Sequence, residues 1–373
     1  MIQNLSDITL LIDGVIFQLQ NGKSLGISNF WRNLLTSISQ DNRFKKVILL
    51  DRGNTPRFEN IEVVSFPQFR NESEDVPLLT AFCNKHAVNL FISSYFTYPE
   101  NCYNICLLHD FIPEKMGMNL NSDEWVSKMH GMAKANGYIG VSQTTLNDLL
   151  QLHPHYSHRA RSVVFNSSSP EFKISSSKEI GSIKEKYGVT KKYFLIVGQR
   201  MSYKNTILFF KAFAELRNRD DFQIVCVGGY ERVEYILRFY LQGFKHIIRI
   251  NPDNSDLSAL LSGAEALAYP SLYEGFGMPI IEAMASGCPI IISKQALACM
   301  EVGGEAVLTV DGFNVEEMKK ALVEVQIPET RKKLIEAGFI KSKKYNSQNS
   351  LEQFYNAILD NIPQMNGSYG RNT

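Results

Sequence analysis

The 373-residue sequence has no excess of either charge, no paired cysteine framework and no long uninterrupted apolar run. Each absence removes a class of protein. Lys and Arg number 39 against 38 Asp and Glu, a formal charge of +1. Composition therefore supplies no global pull toward nucleic acid or an acidic membrane surface, and no nucleic-acid partner is expected. The six cysteines are Cys83, Cys102, Cys106, Cys226, Cys288 and Cys299. Cys102 and Cys106 lack a matching Cys or His pair downstream, which argues against zinc. Cys226 and Cys288 sit in apolar runs and read as small buried hydrophobes. Such a chain suits a reducing cytosol, so a cytoplasmic location is expected. No window reaches the roughly 18 consecutive apolar residues of a membrane span. Met1–Asp7 lacks the basic-then-apolar pattern of a signal peptide. Any membrane contact is expected to be peripheral, at the inner face. No first strand is followed by Gly-x-Gly-x-x-Gly, which disfavours an NAD-linked dehydrogenase.

What is present is an alternation of short apolar runs with longer periodic segments. Hydrophobic residues make up 44% and charged residues 21%, as in globular proteins. Strands are expected at Ile8–Ile12, Lys46–Leu50, Ile61–Ser65, Leu90–Ser93, Tyr103–Leu108 and Gly137–Val141. The segment Ser28–Ser39 reads as a helix, with Trp31, Leu34, Leu35 and Ile38 on one face. The pattern then restarts with strands at Tyr193–Val197, Gln223–Val227, Ile247–Ile250, Ala266–Tyr269 and Pro289–Ser293. Helices are expected at Asn205–Arg217, Asp256–Ser262 and Ile280–Ala285. Continuous Val, Ile and Leu runs fit strands buried on both faces, hence parallel sheets flanked by helices. Two successive βαβ series imply two Rossmann-like, doubly wound α/β domains. The expected division is 1–170, a serine-rich linker 171–187, a second domain 188–345, a helix 346–365 and a fraying tail 366–373. Ligands of such sheets gather at the carboxyl ends of the strands, which makes the crevice between the domains the expected site.

The segment Pro270–Pro279 leaves one expected strand and enters the helix Ile280–Ala285. Gly275 and Gly277 allow a tight turn and close backbone approach to a ligand. Pro279 suits the first helical position, and the free N–H groups of that turn favour an anion such as a diphosphate. Glu274 in the loop and Glu282 in the expected first turn can each accept two hydroxyl hydrogen bonds. Taken singly, Glu274 is equally a solvated loop acid, and Glu282 an acid matching the helix dipole. Upstream, Val197–Asn205 follows the first strand of the second series. Its Arg200 and Lys204 can converge on one phosphate pair, or stand as solvated loop cations. In the first series, His109-Asp110 ends the strand Tyr103–Leu108. The loop Asn21–Ser28 offers Gly26, either for close approach or as a plain helix-start glycine.

The run Pro270–Ile292, PSLYEGFGMPIIEAMASGCPIII, resembles the E-x7-E signature of the retaining glycosyltransferases of family 4, which have the GT-B fold. The resemblance implies that residues 1–170 bind the acceptor, that 188–345 bind the nucleotide-sugar donor and that the helix 346–365 returns to the first domain; Glu274 is to contact the donor sugar near the reacting centre and Glu282 to hold the ribose hydroxyls. It assigns donor contacts to Gly275, Phe276, Gly277 and Met278, and a diphosphate clamp to Arg200 and Lys204. By the same resemblance Gly198, Gly26, His109 and Asp110 border the donor. Asn251-Pro252 with Leu257 cradles the base, Val227-Gly228-Gly229 ends a strand beside it, and Glu301 closes a family turn. One departure is Phe165–Ser169, where the family often has Pro-Asn-Gly-Val-Asp.

The function implied is transfer of a hexose, first of all glucose from UDP-glucose, to a hydroxyl of a polysaccharide, oligosaccharide or lipid-linked acceptor. Retention by front-face attack is implied, because no carboxylate is placed by motif as a covalent nucleophile. No cofactor or metal beyond the nucleotide sugar is expected. A nucleotide-sugar epimerase and a non-catalytic nucleotide-sugar-binding subunit are the alternatives.

Overall fold

The apolar runs form two parallel sheets in a computed structural model that describes residues 2–23 and 25–369. Among these residues the first sheet has seven strands: β1 Thr9–Asp13, β2 Lys46–Asp51, β3 Glu62–Ser65, β4 Leu90–Ser93, β5 Tyr103–Leu108, β6 Gly137–Gly140 and β7 Ala160–Val163. Their order is β3-β2-β1-β4-β5-β6-β7, so direction of winding reverses between β1 and β4. The second sheet has six: β8 Lys192–Val197, β9 Phe222–Val227, β10 Ile247–Ile250, β11 Ala266–Tyr269, β12 Ile290–Ser293 and β13 Leu308–Val310. Its order, β10-β9-β8-β11-β12-β13, reverses between β8 and β11. The short edge strands β7 and β13 were not expected from the sequence. Each has only three or four residues, and a half-polar edge strand leaves no continuous apolar run to read.

Central strands are buried end to end because helices cover both faces. In β1, β4, β5 and β11 every residue is buried. The core of the second sheet packs Phe194, Phe209, Phe213 and Phe222 with Ile224 and Ala266. Leu11, Ile48, Leu50 and Phe91 pack with Leu79 and Cys83 of the helix Glu72–Lys85 in the first.

The chain divides into two compact units, residues 1–167 with 347–373, and residues 168–346. The segment expected as linker contains the helix Ser177–Tyr187 of the second unit. Ser176 and Glu179 form a capping box, and Gly188 closes the helix at φ 70°. Lys186 Nζ and the Tyr187 hydroxyl then bond Asp256 Oδ2 at 2.5 and 2.6 Å. The serines that suggested a linker are in fact the start of a capped helix.

The helix Ser347–Leu359 belongs to the first unit. Arg43 grips Glu352 through two bonds of 2.8 and 2.6 Å, and Phe165 N donates to Gln353 Oε1 at 2.9 Å. The expected tail begins inside a further helix, Ile362–Tyr369, where Asn366 Oδ1 accepts the Ile2 N–H at 3.0 Å. Residues 370–373 of that tail, and Ser24 of the glycine loop, lie outside the described residues. All six cysteines are free thiols. Among the described residues no helix is long and apolar enough to cross a membrane.

Candidate active site

Two loops leave the neighbouring strands β8 and β11 at the point where strand order reverses, the place where a doubly wound sheet opens a crevice. They are stitched together. Leu272 N donates to Tyr203 O at 2.7 Å, and Asn205 Nδ2 donates to Pro270 O at 3.3 Å and Gly312 O at 2.8 Å. Asn205 adopts φ 49°, and Ser202 φ 59°, so the first loop is tightly bent where it meets the second.

Within this frame Lys204 Nζ lies 2.6 Å from Glu274 Oε1 and 3.2 Å from the Tyr269 hydroxyl. Burial pulls the Lys204 ammonium down, but the Glu274 carboxylate more than offsets it and holds the group above its ordinary value. Burial, then the Glu274 charge, pushes the Tyr269 hydroxyl well up, so it stays a neutral phenol. Glu274 itself is 7% exposed. The three side chains make a compact acid–cation–phenol cluster at the mouth of the turn. Tyr269 went unrecognised in the sequence because the last residue of an apolar strand reads as core.

Gly277 stands at φ 99° as the N-cap of the helix Met278–Ala285. A Cβ there would come within 2.9 Å of Ile280 Cδ1 and 3.2 Å of Cys299 Sγ, so the position demands glycine on two counts. The helix starts at Met278, which places Pro279 second and Glu282 fifth. Glu282 is therefore in the second turn, not the first as expected, because Met278 already has helical backbone. Burial alone pushes its carboxyl up to about 7. Phe276 is buried against Tyr345, ring centroids 5.7 Å apart at 83°. This aromatic contact backs the turn from behind.

Arg200 does not converge with Lys204 on a shared point. Its guanidinium is 1% exposed and is turned to the loop after β9. Nε meets Glu234 Oε2 at 2.7 Å, and the remaining nitrogens donate to the carbonyls of Gly228, Tyr230 and Arg232 at 2.8, 3.0 and 3.2 Å. The two cations expected to share one phosphate pair are thus each engaged by the protein, Arg200 with Glu234 and three carbonyls and Lys204 with Glu274. Gly198 has φ 93° with open space where a Cβ would stand, which leaves room in front of the β8 exit. Asn251 is exposed after β10, followed by the half-buried Pro252, and Leu257 is buried on the helix Asn254–Gly263. Glu301 lies on the helix Leu297–Gly303.

In the first unit His109 follows β5 and is buried edge-on against Phe30, centroids 5.5 Å apart. Its Nε2 is buried without a partner. Burial, with the Lys128 charge second, drives its pKa down to about 3, so the ring is neutral. A neutral imidazole with a free nitrogen can bond a ligand hydroxyl; it cannot serve as a cationic acid near neutrality. Asp110 Oδ1 accepts the Ile112 N–H at 3.0 Å, which commits one carboxylate oxygen to the turn. Gly26 opens the helix Gly26–Ser39 with nothing within 4 Å of a built Cβ. Among the described residues nothing crowds that position. Among the described residues no group of three His, Cys, Asp or Glu side chains gathers as a metal site would.

Comparison with solved structures identifies the fold. Sucrose-phosphate synthase from Thermosynechococcus elongatus superposes with a TM-score of 0.75 at 14% identity, over 96% of this chain and 100% of that one. HepE from Anabaena, solved in complex with UDP-glucose, gives 0.73 at 16% identity, over 94% and 99%. The fold is GT-B, with two Rossmann-like parallel sheets. Among curated proteins, O-antigen chain mannosyltransferase B from Escherichia coli is 32% identical over 117 residues, 31% of this chain and 30% of the relative. MMP alpha-(1->4)-mannosyltransferase from Mycolicibacterium hassiacum is 42% identical over 84 residues, 21% of this chain and 20% of the relative. These matches span a third or less of the relatives' own length. The segment that holds the Lys204–Glu274 cluster, the Gly277 turn and Glu282 is also the one with a family match: residues 179–340 match the family Glycosyl transferases group 1.

Proposed function

We propose that this chain is a retaining glycosyltransferase of family 4 that moves a hexose from a nucleotide diphosphate sugar to an acceptor hydroxyl. The observation that carries the reading is the Lys204–Glu274–Tyr269 cluster at the strand-order reversal, beside a glycine-capped helix start. In this reading the helix N-terminal amides and Lys204 stabilise the negative charge that develops on the departing diphosphate. Glu274 faces the hexose, Glu282 accepts the ribose hydroxyls, and His109 offers its unpaired Nε2 to a sugar hydroxyl. The bond from the anomeric carbon to the phosphate oxygen breaks, and the acceptor oxygen bonds that carbon on the same face. The acceptor proton passes to the departing phosphate oxygen. The residues named here supply the charge stabilisation without a divalent ion.

UDP-glucose was the first expectation, and a solved neighbour holds UDP-glucose. Mannosyltransferase names among the relatives favour a mannosyl donor as the equal candidate. The acceptor is proposed to be a polysaccharide, oligosaccharide or lipid-linked sugar in the cytoplasm, with peripheral contact at the inner membrane face if it is lipid-linked. Six free thiols fit a reducing compartment.

A thermal-shift panel of UDP-glucose, GDP-mannose and related nucleotide sugars tests the reading. Donor hydrolysis and the anomeric configuration of the product by NMR follow with the best binder. Stabilisation by at least one nucleotide sugar, slow donor hydrolysis and a retained anomer are expected. Stabilisation by none of them sinks the transferase assignment, and an inverted product sinks the mechanism.

A further inference from the structure

The first sheet has its own point of reversal, between β1 and β4, and the loop that carries Gly26 leaves β1 beside it. A pocket of about 710 Å³ opens there. Ile16 from the segment after β1, Glu72 at the start of the helix Glu72–Lys85, Tyr95, Phe96 and Tyr98 after β4, and Glu124 at the start of the helix Asp123–Lys134 line it. All these positions follow carboxyl ends of strands, where ligands of such sheets collect.

The wall is held rigidly. Ser93 Oγ accepts the N–H groups of Tyr95 and Thr97, both at 3.0 Å, and Thr97 Oγ1 donates to Asp13 Oδ2 at 2.5 Å. Asp13 is itself clamped by the buried Arg52 at 2.6 Å, and Arg52 also grips Asp75 at 2.6 Å. Phe96 is fixed at φ 62°, a region that a bulky residue adopts only under strain. The helix Asp123–Lys134 approaches it through Gly131, where a Cβ would lie 2.4 Å from Phe96 O. Strain of this kind persists only where the surrounding structure imposes it, and here it sets an aromatic wall.

The chemistry of the lining is that of a sugar site. Tyr95, Phe96 and Tyr98 supply apolar ring surface, which suits the C–H face of a pyranose. The carboxylates supply acceptors for the hydroxyl rim. Glu124 Oε1 already accepts the Tyr95 hydroxyl at 2.6 Å. Glu72 Oε2 pairs with His130 Nδ1 at 2.7 Å and accepts the Tyr98 hydroxyl at 3.4 Å, while Glu72 Oε1 is buried without a partner. In charge, Glu72, Asp123 and Glu124 stand against Arg70 and the His130 that pairs with Glu72, while Asp13 and Asp75 share the one Arg52. The pocket is net negative and repels phosphate.

We propose that this pocket binds one uncharged sugar ring and refuses phosphorylated sugars. That the ring belongs to the acceptor rests on the transferase reading above. Saturation-transfer NMR on the full chain tests it, with methyl α-mannopyranoside and methyl α-glucopyranoside as probes and mannose 6-phosphate as the charged control. Both hexosides are expected to receive saturation, and mannose 6-phosphate roughly tenfold less. Glu72→Gln is expected to weaken hexoside binding roughly three- to tenfold, through loss of a charged acceptor. Glu124→Gln is expected to narrow the discrimination against mannose 6-phosphate. If Glu72→Gln melts far below the parent, Ser127→Tyr, which fills the pocket, takes its place with the same expected loss.

Mannose 6-phosphate bound as tightly as the hexosides, or hexoside binding unchanged in the variants, overturns the proposal. Nucleotide-sugar binding on the same samples separates it from the transferase reading. Nucleotide sugar bound with no hexoside signal overturns the pocket alone. A Glu72-dependent hexoside signal with no nucleotide sugar bound supports the sugar site and removes only its acceptor role.

Discussion

Lys204 and Glu274 are 70 positions apart in the chain and 2.6 Å apart in space. The pair joins the exits of β8 and β11, and it fixes the side chains that the proposed chemistry needs most. Desolvation of such a buried ion pair is offset only by close geometry and further hydrogen bonds, here the contact of Lys204 Nζ with the Tyr269 hydroxyl at 3.2 Å.

Removing either partner is therefore expected to act on both stability and turnover. Lys204→Ala leaves a buried carboxylate without its cation, which costs about 3–5 kcal/mol. Glu274→Gln keeps the shape and removes the charge; transfer is expected to fall about 100- to 1000-fold, the range for loss of a preorganised charged group. Melting curves and kcat/KM on the same preparations check this. A loss of turnover in Glu274→Gln measured well below its lowered melting temperature, where the variant is still folded, is the expected signature of a group that acts on substrate. Equal activity in both proteins would dismiss Glu274 from the site.

Nucleotide affinity is expected to depend on pH through Glu282. Its carboxyl titrates at about 7 in the folded chain, against an ordinary value of 4.5. Ribose hydroxyls donate to the ionised form, so affinity for UDP or GDP rises as pH increases through 7. The folded state holds this proton more tightly than the unfolded one. Its contribution to stability is then full below 4.5 and lost as pH rises through about 7. Calorimetric titrations from pH 5.5 to 8.5 measure the first effect. Glu282→Gln should flatten the curve; an unaltered curve would assign the pH dependence elsewhere.

His109 is expected to add no inflection near its ordinary value of 6.5. Its folded value of about 3 keeps it neutral throughout the working range. The stability it contributes is present above 6.5 and is lost as pH falls toward 3. His109→Phe keeps a ring against Phe30 but deletes the unpaired Nε2. A drop of about tenfold in kcat/KM is expected, the worth of one hydrogen bond. An unchanged kcat/KM would make this histidine a packing residue.

Arg200 offers a test of competition. Glu234 Oε2 holds its Nε at 2.7 Å, in the role a phosphate oxygen takes in the proposed clamp. If the guanidinium swings to a diphosphate, Glu234→Gln removes a competitor and is expected to tighten UDP or GDP binding several-fold. If Arg200 only braces the loop after β9, the same change lowers the melting temperature and leaves affinity unaltered. Isothermal titration alongside thermal melting distinguishes the two.

Much of the fold could be read because parallel strands buried on both faces leave continuous apolar runs such as Leu90–Ser93 and Ala266–Tyr269. The edge strands β7 and β13 could not, since one exposed side breaks the run. The helix Ser177–Tyr187 was obscured by serines that cap it. At the site, the turn at Gly277 was legible, because positive φ beside a helix start selects glycine locally. The partners of Arg200 were not, because Glu234 and three carbonyls reach it only through the loop after β9.

The sequence by itself determined the two parallel sheets, the break in the pattern between them and the glycine-capped helix start that suits an anion. Backbone conformation and burial act over a few residues or a repeating period, so they leave a local trace. Tertiary structure alone decided that Lys204 pairs with Glu274 and Tyr269, that Arg200 turns to Glu234, and that Glu282 lies in the second turn with a raised carboxyl. It also decided that Tyr95, Phe96 and Tyr98 share a pocket with Glu72 and Glu124. Charge pairing and burial depend on which distant segments the sheets bring together, and strand order is not written in any one segment of the chain.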